Sequence, residues 1–268
     1  MLRALGPANG FGDEWLRIGG LKLLADGGFE GAYMREPFME DEFGPGWRGI
    51  QMWDDDSLTT VLRAARDTNC GVFIHELGDA ALDQVLDVMD VVDREKSIAD
   101  RRWTLEHGGI LPTPRNLEQA RRMGIVVSTQ QPMGWAVGAT TRRFWGEHRG
   151  SNMKPNRTWM DAGVVVKGGS DVGPYDPMLG LWTCVTRTNV AGEPMDPKEA
   201  LTREEALRIY TINGAYGTFE EEIKGSIEPG KLADMLVLSD DLLTVPEDQI
   251  RDIKVLATYV GGQQVHRA

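Results

Sequence analysis

Between Gly71 and Asp171, short apolar runs alternate with amphipathic stretches. Gly71-Val-Phe-Ile-His75 is apolar until its last residue, the pattern of a strand buried on both faces. Behind it Leu82, Val85, Leu86 and Met89 recur at helical spacing, with Asp79 placed to cap that helix. Trp103–His107, Ile125–Thr129 and Val164–Asp171 read as further strands. Thr113-Pro114 opens a helix between the first two and Gly124 closes it. Upstream, Arg17–Leu24 is a predicted strand stopping at Ala25-Asp-Gly-Gly28; the next helix starts near Ser57 and carries Leu58, Val61, Leu62 and Ala65. Downstream, Thr202-x-x-Glu205 is a capping box for a helix with Ala206, Ile209 and Tyr210 inward. Strand–helix alternation implies parallel strands with right-handed crossovers. The fold class is therefore α/β, a βα barrel or a doubly wound sheet.

The tail changes character. Ala233–Leu238, Ile253–Val260 and Gln263–Val265 are strand-like with no amphipathic helix between them, so a small β-appendage over 224–268 is expected to follow a barrel portion over 1–223. Two connections, Phe29–Trp53 and Pro132–Trp159, are long and rich in Trp, Met, Gly and Arg, as expected of substrate lids.

Composition narrows the function classes. The 268 residues are 41% hydrophobic and 26% charged, ordinary for a globular protein. A formal net charge of −12 argues against nucleic acid or an anionic membrane as partner. No apolar stretch reaches the roughly 18 residues of a membrane span, and Met1–Gly10 lacks the basic start and apolar run of a secretory leader. A cytoplasmic location is the expectation. Cys70 and Cys184 have no metal or redox spacing and read as buried or free thiols.

The candidate chemistry is positional. Lys22, His75, His107 and Asp171 each fall at or near the C-terminal end of a predicted parallel strand, the edge where a βα barrel gathers its active site. Two imidazoles and a carboxylate at one edge suit a divalent ion, zinc above all. Such a metal polarises a carbonyl and activates water, while Asp171 holds and passes the proton. Taken singly, each has a plainer reading: a hydrogen-bonded core histidine, an aspartate capping the Val172-Gly173 turn, a surface lysine. The joint pattern favours the site. His148 and His266 lie outside it. Arg143 and Trp145, in the second long connection, are candidates to meet an anionic or aromatic part of a substrate. No glycine-rich phosphate loop follows any strand, against a nucleotide-binding domain.

Several motifs together resemble the amidohydrolase superfamily, in particular its family 3 of YtcJ-like metal-dependent hydrolases. They are Gly20-Leu-Lys22-Leu-Leu-Ala-Asp-Gly27, Ile74-His-Glu-Leu-Gly-Asp-Ala80, Leu105-Glu-His107, Ser128-Thr-Gln-Gln-Pro132, Gly169-Ser-Asp171, Thr211-Ile-Asn-Gly-Ala215 and Gly225–Leu238. The resemblance implies a TIM-like barrel acting on carbon–nitrogen bonds other than peptide bonds in small amide-type substrates, with one or two divalent metals. It casts His75 and His107 as metal ligands after the fifth and sixth strands, Asp171 as the strand-eight ligand and proton shuttle, and Lys22 as a lysine that in relatives can be carboxylated to bridge two metals.

One departure matters. The family's His-x-His at the first strand occurs nowhere here, and counting from Lys22 gives strands four to eight of eight. The expected fold is thus a partial TIM-like (β/α) barrel with a C-terminal β-sandwich segment and at most one metal. The strand bearing Lys22 should be an unpaired apolar edge, open to a second copy of the chain or to a complementing N-terminal chain. The alternative to an active hydrolase is a non-catalytic fragment, or half of a split barrel that needs a second chain for its His-x-His site.

Overall fold

The computed structural model describes residues 11–268; the reading of Met1–Gly10 lies outside the described residues. Five strands, β1 (Leu21–Leu24), β2 (Val72–His75), β3 (Thr104–Glu106), β4 (Val126–Gln130) and β5 (Val165–Gly169), form one sheet in chain order. The helices α1 (Glu40–Phe43) and α2 (Asp55–Asp67) lie between β1 and β2, α3 (Asp79–Glu95) between β2 and β3, and α4 (Pro114–Arg122) between β3 and β4. Then α5 (Gln131–Trp145), α6 (Glu147–Ser151) and α7 (Asn156–Asp161) precede β5. After it come α8 (Pro177–Thr186), α9 (Arg203–Tyr210), α10 (Ile212–Gly217) and three strands, β6 (Met235–Leu238), β7 (Val255–Val260) and β8 (Gln263–Arg267). These last form a separate antiparallel sheet. The fold is α/β with a parallel five-stranded sheet, as the alternating pattern predicts. Among the described residues no helix is long and apolar enough to cross a membrane.

The chain folds as two compact units. The first comprises the residues up to Thr129 together with Gly138–Val166. Its strands β1–β3 pair in register, Leu24 opposite His75 and His75 opposite Glu106. Side chains alternate across a sheet, so Val72, Ile74 and Leu105 all lie on one face. All three are buried, as are Leu82, Val85, Leu86 and Met89 of α3 and Leu58 and Leu62 of α2. The opposite face carries Lys22, Phe73, His75 and Glu106. Of these, Phe73, His75 and Glu106 are half-buried and Lys22 is exposed.

Local signals set most boundaries. Thr113 and Asn116 form the capping box of α4, and Asp54 caps α2. Strand β1 is shorter than its hydrophobic pattern. The Asp13 side chain accepts from the Trp15 and Leu16 amides, turning the chain so that Arg17 bridges back to Gly12. Asp79 does not cap α3: Gly78 occupies that position, and the Asp79 carboxylate accepts from the Arg35 amide at 2.7 Å.

The two long connections are built differently from open loops. The second is mostly helical, through α5, α6 and α7. Within the first unit, the two insertions meet around rings. Trp145 lies 6.0 Å from Phe29 and 6.4 Å from Phe38. Phe43 meets Phe38 edge-on at 5.2 Å and Phe144 at 5.0 Å. Polar contacts frame the cluster: Met39 N–H to the Phe144 carbonyl at 2.9 Å, and Arg149 to the carbonyls of Glu36 and Pro37 at 2.8 and 2.6 Å.

Arg63 and Arg66 of α2 both bind Glu95 at the end of α3, and these two guanidinium groups hold the Glu95 carboxyl down at about 2. A carboxylate depressed in the folded state stabilises above its unfolded value and loses that contribution as pH falls through the folded value. The α2–α3 contact is therefore expected to weaken between about pH 4.5 and about pH 2. Urea denaturation across that range should give a smaller acid loss for Glu95→Gln than for the parent; equal losses would contradict it.

The second unit comprises Gln130–Val137 and Lys167–Ala268. Arg187 ends α8 in a left-handed conformation and is buried; burial pulls its guanidinium below the usual range, and the negative charge of Glu199 opposes that pull. Thr202 and Glu205 form the predicted capping box at α9. The strands β6–β8 fall where the tail pattern places them.

Candidate metal centre

Strand β2 ends at His75, where its apolar run stops. The next strand ends at Glu106, and His107 follows with φ of 90°, a left-handed conformation that a side chain rarely adopts. That turn brings the His107 ring toward His75. His107 Nε2 lies 2.8 Å from His75 Nδ1, with the rings nearly perpendicular and 4.5 Å apart. His107 is buried, and the His75 side chain is 15% exposed, so the pair faces a limited opening. Strained backbone concentrates where function requires an awkward geometry.

His75 is anchored from behind. Its Nε2 lies 3.0 Å from the Gly27 carbonyl and 3.4 Å from Asp26 Oδ1. A proton on Nε2 satisfies that carbonyl and leaves the Nδ1 lone pair facing His107, the arrangement by which an outer partner selects a ligand's tautomer. Asp26 is fully buried and is held in turn by the amides of Tyr33, Leu77 and Gly78, at 2.9, 3.0 and 2.8 Å. Burial pushes its carboxyl up to about 7 against the pull of those amides. Gly78 is required here, because a Cβ would come within 1.9 Å of the Tyr33 carbonyl oxygen.

A tetrahedral zinc with 2.0–2.1 Å bonds spaces two ligand nitrogens about 3.3 Å apart. The observed pair needs to open by about 0.5 Å, well within side-chain adjustment. The donor chemistry thus fits a borderline divalent ion with two ligands. Among the described residues no group of three or more His, Cys, Asp or Glu side chains comes together to hold a metal.

The other sequence candidates stand as follows. Lys22 is exposed on the His75 face of the sheet, opposite Phe73 and two residues before the level of His75. Asp171 follows β5 in the second unit, exposed and with φ of 61°. Arg143 pairs with Glu42, one contact measuring 2.7 Å. Trp145 is 1% exposed, and its indole N–H donates to the Phe29 carbonyl at 2.8 Å. Asp26 and the Gly27 carbonyl are the site groups that sequence reasoning passed over. They lie in the Ala25–Gly28 turn that the pattern marks only as a strand end.

Residues 2–266 match the profile of the amidohydrolase family. The chain is 33% identical over 254 residues to the N-substituted formamide deformylase of Arthrobacter pascens, covering 92% of this chain and 45% of that protein. It is 29% identical over 264 residues to YtcJ of Bacillus subtilis, covering 94% and 48%. In three dimensions it is similar to an uncharacterised metal-dependent hydrolase of Pyrococcus furiosus, with a TM-score of 0.73 and 25% identity over 91% of this chain and 48% of the other. The chain spans about half the length of the curated relatives it matches.

Proposed function

Because the chain belongs to the amidohydrolase family, we propose that it carries a histidine pair of a divalent-metal centre in a hydrolase acting on non-peptide carbon–nitrogen bonds of small amide-type substrates. The observation that carries this reading is the 2.8 Å approach of His75 Nδ1 and His107 Nε2 across two strand ends. The name of the formamide deformylase supports the bond type. Imidazole donors suit zinc, as they do other first-row divalent ions. When bound, such an ion polarises a carbonyl and lowers the pKa of water.

The chain's own residues have separate tasks. His75 presents Nδ1 because Gly27 and Asp26 occupy its other nitrogen. His107 presents Nε2 from its left-handed backbone. By the family resemblance, Asp171 would be the residue that takes a proton from the attacking water and returns it to the departing nitrogen, which would leave as a neutral amine. Lys22 joins the ligand set only as a carbamate, since an ammonium repels a cation.

A second reading is that the chain supplies half of a site completed by another polypeptide. It is favoured by the two-imidazole donor set among the described residues and by β1 standing at the end of the strand order. Zinc content and hydrolysis of simple formamides and acetamides by the purified chain separate the readings. Hydrolysis lost with a chelator and in Asp171→Asn supports the first. Bound zinc without turnover supports the second. A chain that neither binds zinc nor turns over sinks both.

A further inference from the structure

The first insertion has two parts that are held in different ways. Its base is zippered: the Met34 and Phe38 amides donate to the Arg48 and Trp47 carbonyls at 2.8 and 2.7 Å, and the Ile50 amide to the Gly31 carbonyl at 2.9 Å. Arg35 ties the same base to α3, with two side-chain bonds of 2.6 Å to Asp83 and its amide bonded to Asp79. Gly49 fits there only without a side chain, since a Cβ would come within 2.0 Å of the Ala32 carbonyl oxygen. The tip, residues 39–46, is built otherwise. It consists of Met39, the single turn α1 and the run Gly44-Pro45-Gly46. Both glycines are left-handed, with φ of 82° and 78°, and a Cβ on either would meet no described atom within 4 Å. The tip thus rejoins the base through two conformationally permissive residues with nothing packed on them.

What holds the tip lies on α5. The Met39 amide donates to the Phe144 carbonyl at 2.9 Å, and Phe43 meets the Phe144 ring edge-on. Arg143 binds the Glu42 carboxylate through both Nε and Nη2, the second contact at 2.7 Å. These contacts are open to water: the Arg143 side chain is 68% exposed and Met39 47%, whereas Phe38, at the base, is 3% exposed. Exposed charge pairs hold weakly and are screened by salt. Segments with few buried contacts open locally while the rest of a protein stays folded.

We propose that residues 39–46 are a lid that swings about Gly44 and Gly46 while the base stays closed, and that the Glu42–Arg143 pair is its latch. Opening breaks the Met39–Phe144 hydrogen bond, lifts Phe43 away and uncovers the edges of Phe38 and Phe144. All of these contacts lie within the first unit, and neither histidine takes part, so the inference is independent of the metal-site reading.

Native-state hydrogen exchange on the full chain, read by NMR, tests it at two adjacent amides. Met39 N–H is bonded across to α5, and Phe38 N–H is bonded within the base. Protection at Met39 is expected to be at least about 10-fold below that at Phe38 and insensitive to low urea. Glu42→Gln should lower Met39 protection by a further factor of about 2–5 and leave Phe38 unchanged, and added salt should do the same to the parent. Glu42→Arg should lower it more, and Glu42→Arg with Arg143→Glu should bring it back toward the parent. Equal protection at Met39 and Phe38 would mean that the tip opens only with its base, and would overturn the lid. A fast Met39 amide that ignores salt, Glu42→Gln and the charge swap would overturn the latch. Failure of the charge variants to fold would also overturn it, because a latch carries none of the global stability.

Discussion

Replacing His75 and His107 together by alanine is expected to abolish zinc uptake by the purified chain while leaving its helices folded. Loss of a group that merely orients a ligand costs about 10–100-fold in metal affinity, so loss of both imidazoles should exceed that range. The fold should tolerate the change because His75 lies on the sheet face opposite Val72, Ile74 and Leu105, and His107 lies beyond the end of its strand. Elemental analysis after gel filtration, with circular dichroism to check folding, measures the outcome. Zinc retained at the parental ratio would remove the pair from the site and, with it, the observation on which the proposed function stands. The single variants add detail. His75→Ala also frees the Gly27 carbonyl and Asp26, so it should cost more stability than its exposure suggests.

Trp145→Ala is expected to have the largest effect on stability. A fully buried tryptophan reduced to alanine costs about 3–5 kcal/mol, the lost transfer energy plus the cavity left behind. Here the cavity would open among Phe29 and Phe38, and the Phe29 carbonyl would lose its indole donor. Because those rings join the two insertions, the loss should appear first as faster hydrogen exchange across residues 29–53 and 138–156. Trp145→Phe, which keeps an aromatic ring and gives up the N–H, should cost about 1 kcal/mol. Urea denaturation of both variants checks the ordering. Equal, small losses would mean the aromatic contacts carry little of the unit's stability.

The same tryptophan marks a limit of sequence reading. Loop aromatics and arginines in a long connection suggest a substrate surface, and Arg143 and Trp145 stand out in that way. In the folded chain Trp145 is buried among rings and Arg143 is engaged by Glu42. Composition cannot distinguish a ring that awaits a ligand from one that has found Phe38, because the partner is more than a hundred residues away. The same holds for Asp79, which has the sequence position of a cap but accepts from Arg35 instead.

What the sequence determined by itself is whatever short-range patterning encodes. Apolar runs ended by a polar residue put His75 at the end of β2, and the Thr113–Asn116 and Thr202–Glu205 boxes started α4 and α9. Those features depend on neighbours three or four positions away, where helix and strand periods act. Only the tertiary structure decided that His75 and His107 converge to 2.8 Å, that Asp26 and Gly27 hold the first of them from behind, and that Glu76, the residue after His75, is fully buried. Each depends on parallel strand register and on a left-handed turn at His107, so its partners are distant in the chain and adjacent only once the sheet has formed.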